Sequence, residues 1–145
     1  MTITGSELRK AARARYGKAR IYVLDAEYSL VGEKVVKKAY SSFIWQMRLI
    51  GLTMWLSNKL DCDKWAWLFK AYLTVRNALS SRKNALPVGV VCYRINGDKA
   101  RGHCINTIAC GAEGTFEMSE VEPQPRSGMK TLTQSERDSA WLVVF

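Results

Sequence analysis

Apolar residues recur at three- and four-residue steps through Trp65, Leu68, Phe69, Tyr72, Leu73 and Leu79, with Arg76 on the same arc. That spacing is one face of an α-helix, so the pattern predicts a helix opening at Cys62 behind Asp61 as N-cap. The polar run Ser80-Ser81-Arg82-Lys83-Asn84 closes it. Upstream, Thr4-Gly5-Ser6-Glu7 reads as a capping box that starts a short helix. Residues 33–52 also read as helical, with a break at Ser41-Ser42, and the apolar stretch from Gly51 to Leu60 reads as buried. Strand patterns occupy Arg20–Asp25, Val88–Ile95, Gly102–Cys110, Thr115–Glu122 and the tail Ser139–Phe145. Asn96-Gly97 is a favoured tight-turn pair after the second of these. Helices come first and strands pairing antiparallel follow, which predicts an α+β architecture.

Composition narrows the class. A chain of 145 residues, 48% of them hydrophobic, has the length and apolar content of one ordinary domain. No eighteen-residue apolar run is present, so a membrane span is not expected, and the charged N-terminus lacks the apolar core of a secretion signal. The expected location is a reducing cytoplasm. The net charge of +9 is weighted towards the segment from Arg9 to Arg20, which sets residues 1–19 apart as a basic helical arm ahead of a domain over 20–145. Such an arm could meet nucleic acid or another acidic partner, although a solvated helix face explains the same charges. The five tryptophans read as core or interface residues.

The candidate chemistry centres on Cys62. At a helix N-terminus the dipole and free N–H groups favour a thiolate, and a nearby imidazolium favours it further. The flanking Asp61 and Asp63 oppose that, so a positive partner is needed, and His103 is the chain's one histidine. If Ala112-Glu113 is a two-residue turn, His103 lies opposite Glu122, with Glu120 on the same face and Glu117 on the other. A carboxylate there would fix the imidazole tautomer, as the third member of a nucleophile–base–acid triad does. Asn106 and Gln124 are supporting candidates, and Asn58 is the nearest side-chain donor before the cysteine for an oxyanion. The four cysteines, 62, 92, 104 and 110, lack zinc-site spacing and read as free thiols. A metal site from Cys92, His103, Cys104 and Cys110 is disfavoured because adjacent strand residues point apart. No metal or cofactor is expected.

Five short segments also match, in order, a known family: Asp25-Ala26-Glu27-Tyr28, Asp61-Cys62-Asp63, Pro87-Val88-Gly89-Val90-Val91, Gly102-His103-Cys104-Ile105-Asn106 and Glu122-Pro123-Gln124. From about Arg20 to Phe145 the chain thereby resembles small papain-like, transglutaminase-like cysteine hydrolase domains of bacteriophage genomes, related to the C-terminal protease domain of a fungal agglutinin. The resemblance implies a papain-like α+β fold with a nucleophile-bearing helix and a C-terminal antiparallel sheet. It implies Cys62 as nucleophile, His103 as base and Glu122 as orienting acid, with Glu120 as substitute, in a hydrolase or acyl transferase acting on peptide or amide bonds. A protein or peptide substrate follows, in the host cytoplasm or a virion. The alternative is a catalytically silent structural or binding protein of a phage particle or tail that meets other virion proteins.

Overall fold

The strand Val88–Arg94 (β4) is buried at every position but the last, which requires cover on both faces of the sheet it joins. The computed structural model of the protein, which describes residues 1–53, 61–112 and 115–145, supplies that cover. Beside β4 lie β5 (Gly102–Ala112), β6 (Thr115–Glu122) and β7 (Gly128–Lys130) on one side. On the other lie β8 (Leu142–Val144) and then β2 (Arg20–Tyr22), giving the order β2-β8-β4-β5-β6-β7. A separate antiparallel ribbon joins β1 (Thr2–Thr4) to β3 (Glu27–Ser29).

This corrects the expected architecture. The sheet is mixed, because β2 runs parallel to β8, and it draws strands from both ends of the chain. It is not a C-terminal antiparallel sheet following N-terminal helices. A three-residue strand carries almost no periodic signal, and its partner lies more than a hundred residues away, so neither pairing nor direction is visible locally.

The helices form the two outer layers. Helix α1 (Gly5–Tyr16) carries the expected capping box on Thr4 and Glu7. Its fully buried Leu8, Ala12 and Tyr16 pack with Val91, Tyr93, Ile105 and Ala109 from one sheet face. Arg9, Lys10 and Arg13 stay exposed on its other side. Helices α2 (Glu33–Leu49) and α3 (Cys62–Ala78) cover the opposite face, where Val36, Phe43, Trp65 and Phe69 meet Val88 and Ile108. Phe43 sits edge-on to Trp65, centroids 5.9 Å apart, and 5.1 Å from Phe69. The expected break in α2 is absent: Ser41 turns its hydroxyl back to the Lys37 carbonyl at 3.1 Å, so the helix runs through. The short helix α4 (Gln134–Asp138) has its own capping box on Thr133 and Glu136.

Two further expectations change. The buried face of α3 is Trp65, Ala66, Phe69 and Leu73, whereas Leu68 and Leu79 are exposed. Ala66, two residues before Leu68 and so on the opposite side of the helix, packs with Val90, Cys92 and Cys104. The stretch from Gly51 to Leu60, read as buried, has Gly51 and Thr53 exposed, and its residues 54–60 lie outside the described residues.

Candidate functional site

Local sequence places Cys62 where it was expected, as the first residue of α3 with Asp61 at the N-cap. The Asp61 side chain does not cap, however. It accepts from Lys64 Nζ at 2.8 Å, and Lys64 stands 3.8 Å from Asp63 as well. The first-turn N–H groups are thus free of a side-chain acceptor from the cap residue, and the positive end of α3 acts on the half-buried thiol. Hydrogen bonds to Asp63 and Lys64 hold the Asp61 carboxyl at about 2, while sharing with Asp61 pushes Asp63 upward.

Tertiary structure brings His103, from β5, to that thiol. His103 Nε2 is 2.6 Å from Glu122 Oε1, and Nδ1 is the ring nitrogen that this contact leaves over. Tyr93, opposite His103 in the ladder, packs edge-on to the imidazole at 5.7 Å between centroids. Burial opposes ionisation of Cys62, yet its hydrogen bonds to His103 and to the Cys104 backbone outweigh that and lower its pKa. Burial also opposes the imidazolium, but the bonds to Cys62 and Glu122 raise His103 to about 9. Glu122 is lowered, first by its bond to His103, against a cost from burial. All three shifts favour a thiolate beside an imidazolium that a carboxylate holds in place.

The register that achieves this differs from the one expected. β5 pairs Asn106 with Val121 and Thr107 with Glu120, an offset of two residues, and Ala112 pairs with Thr115. An offset of two keeps every side chain on its face. Glu122 therefore still reaches the imidazole, diagonally instead of directly across. Glu120, the substitute acid, is engaged elsewhere: Arg15 binds it bidentately at 2.5 and 2.8 Å, and Tyr16 lies 3.0 Å away.

The remaining candidates divide. Buried Asn106 donates to the Ala66 carbonyl at 2.9 Å and the Gly89 carbonyl at 3.1 Å, fastening α3 to β4. Gln124 follows β6, and its buried Nε2 has no hydrogen-bond partner among the described residues. Asn58 lies outside the described residues. Cys92 and Cys104, expected as free thiols, face each other across β4 and β5 and form a disulfide. They were read by sequence spacing, which does not show that positions twelve apart become cross-strand neighbours. That bond also removes them as metal ligands alongside His103. Cys62 and Cys110 are the free cysteines. Lys130, whose ammonium lies 5.5 Å over the Tyr93 ring and lowers Glu122, was missed from the sequence because nothing local ties it to the site.

No family model and no curated protein matches this chain. Solved structures do. The complex of PSL1a with E64 superposes with a TM-score of 0.74 at 21% identity, over 99% of this chain and 51% of that one. Polyporus squamosus lectin bound to the human-type influenza-binding epitope Neu5Acα2-6Galβ1-4GlcNAc gives 0.73 at 20% identity, over 99% of this chain and 49% of that one. The chain spans about half the length of these proteins, and the likeness at this identity concerns the fold.

These findings overturn the expected family. The chain matches structures of a lectin, with a mixed six-stranded sheet, in place of the expected papain-like, transglutaminase-like domain. The expectation of a cysteine hydrolase or acyl transferase acting on peptide or amide bonds rested on that family and goes with it. Five short motifs were too little to carry an activity. Among the described residues no helix is long and apolar enough to cross a membrane.

Proposed function

We propose that this chain is a ligand-binding protein whose site is the thiolate–imidazolium pair of Cys62 and His103, held by Glu122. The observation that carries the proposal is the 2.6 Å contact between His103 Nε2 and Glu122 Oε1, with the same imidazole hydrogen-bonded to the thiol at a helix N-terminus. A ligand with an electrophilic carbon is captured there. The Cys62 thiolate forms an S–C bond, the bond from that carbon to its heteroatom breaks, and His103 gives its proton to the heteroatom. The likeness to PSL1a, solved as a complex with E64, supports a small-molecule site in this fold.

Alkylation by iodoacetamide across pH tests the proposal. Cys62 should react at pH 6–7 much faster than a free thiol with pKa about 8.5, whose thiolate fraction is small there. Pre-incubation with E64 should protect it. Reaction no faster than that of Cys110 in the unfolded chain would sink the proposal.

A second reading, glycan binding, rests on Trp141, which is 40% exposed with the Arg94 guanidinium stacked 5.0 Å from its ring. An exposed indole beside a cation suits a sugar face carrying a carboxylate. Titration with Neu5Acα2-6Galβ1-4GlcNAc, the epitope bound by the Polyporus squamosus lectin, should quench tryptophan fluorescence, and Trp141→Ala should abolish the change. No quenching at millimolar glycan rejects this reading.

A further inference from the structure

Helices α2 and α3 enclose a cavity of about 760 Å³ well away from Cys62. Its floor is apolar and belongs to the core: Val36, Leu73, Val88 and Ile108 are each nearly inaccessible. At its rim Val35, Val75 and Leu79 are large apolar side chains left half or more exposed. Lys38, Arg76 and Arg82 also line it, and no carboxylate does among the described residues. Its polar groups converge: the Tyr72 hydroxyl bonds Ser42 Oγ at 2.8 Å, and Arg76 lies 5.8 Å from the Tyr72 ring and 3.4 Å from its hydroxyl. The size falls within the usual range of small-ligand sites, and an apolar floor with a few placed polar groups is their usual make-up.

We infer that this cavity binds a small amphipathic anion: an aliphatic tail on the apolar floor, and a carboxylate held at the rim by Arg76 with Lys38 and Arg82. The charge decides the class. A neutral apolar ligand would use the floor and leave three cations unengaged, whereas a carboxylate meets a guanidinium already steadied on an aromatic ring. Tyr72 lies ten residues beyond Cys62 on the same helix, about 15 Å along its axis, so the two sites are separate. The inference stands whether or not Cys62 captures an electrophile.

Calorimetric titration of the whole chain with octanoate and with octanol, both below aggregation, tests it. Octanoate should bind at least about tenfold more tightly than octanol, the increment of one charge-assisted contact. Arg76→Gln, at an exposed position, should remove most of that difference and leave octanol binding nearly unchanged. Ala39→Trp, which fills the cavity from α2, should abolish binding of both while the iodoacetamide rate at Cys62 stays at its wild-type value. Equal affinity for octanoate and octanol, or octanoate binding undiminished in a folded Ala39→Trp chain, overturns the inference. Absence of any octanoate binding at millimolar concentration overturns it too.

Discussion

Replacing Glu122 by Gln isolates what its charge does for the imidazolium. Gln preserves the size and the hydrogen bond to His103 Nε2 at 2.6 Å but removes the negative charge. A hydrogen bond to a charged group contributes about 1.5–3 kcal/mol and a neutral one about 0.5–1.5, so the difference is roughly 1–1.5 kcal/mol. That corresponds to about one pKa unit. His103, raised to about 9 by Cys62 and Glu122 together, should fall by about that much, and Cys62, deprived of part of its imidazolium, should rise. Because the chain has one histidine, a single imidazole resonance reports the change by NMR. The 240 nm absorbance of the thiolate follows Cys62 independently. The two groups interact, so each titration yields a property of the pair: a lower step in which the thiolate forms and an upper step in which the imidazolium is lost. Glu122→Gln should bring the two steps closer together. If the histidine of the wild-type chain titrates near its ordinary value of 6.5, or if the variant leaves both steps where they were, the reasoning about the ion pair is wrong.

Other outcomes follow from the same contacts. The carboxyl of Glu122 is lowered in the folded chain, so the stability it contributes is present above its ordinary 4.5 and is lost as pH falls through the lowered value; acid unfolding followed by circular dichroism should show a weaker pH dependence in Glu122→Gln than in wild type. Asn106→Ala removes the side-chain donor to the Ala66 and Gly89 carbonyls and should cost about 2 kcal/mol, a drop in Tm of roughly 8 °C; a drop under 2 °C would show that Asn106 does not fasten α3. Titration of thiols in denaturant should find two without reductant and four with it, and removing the Cys92–Cys104 bond in the pair Cys92→Ala and Cys104→Ala should cost at most about 3 kcal/mol for so short a loop. Phe43→Ala empties the ring cluster around Trp65 and Phe69 and should cost about 3–5 kcal/mol in denaturant unfolding.

The elements with strong local signals were legible and the assembly was not. The capping box at Thr4 and Glu7 and the helix start at Cys62 are encoded within a few residues, as is the turn at Asn96, whose φ of 51° suits asparagine before Gly97. So is the alternation that keeps His103 and Glu122 on one sheet face, and this explains why a wrong register still paired the right side chains. The same logic placed Glu120 on that face but could not show that Arg15 and Tyr16 would occupy it. Short motifs in order suggested a family and an activity, yet motifs fix neighbours in the chain, and the likeness to the lectin structures concerns how the whole chain is arranged.

By itself, the sequence determined where helices begin, which strands alternate, and that a thiol stands at a positive helix end, because capping, periodicity and the helix dipole act over one or two turns. Only the tertiary structure decided that Cys62 meets His103 across about forty residues, that Cys92 and Cys104 join, and that β2 runs parallel to β8. Those contacts are made between distant parts of the chain, and burial of the two sheet faces is what selects them.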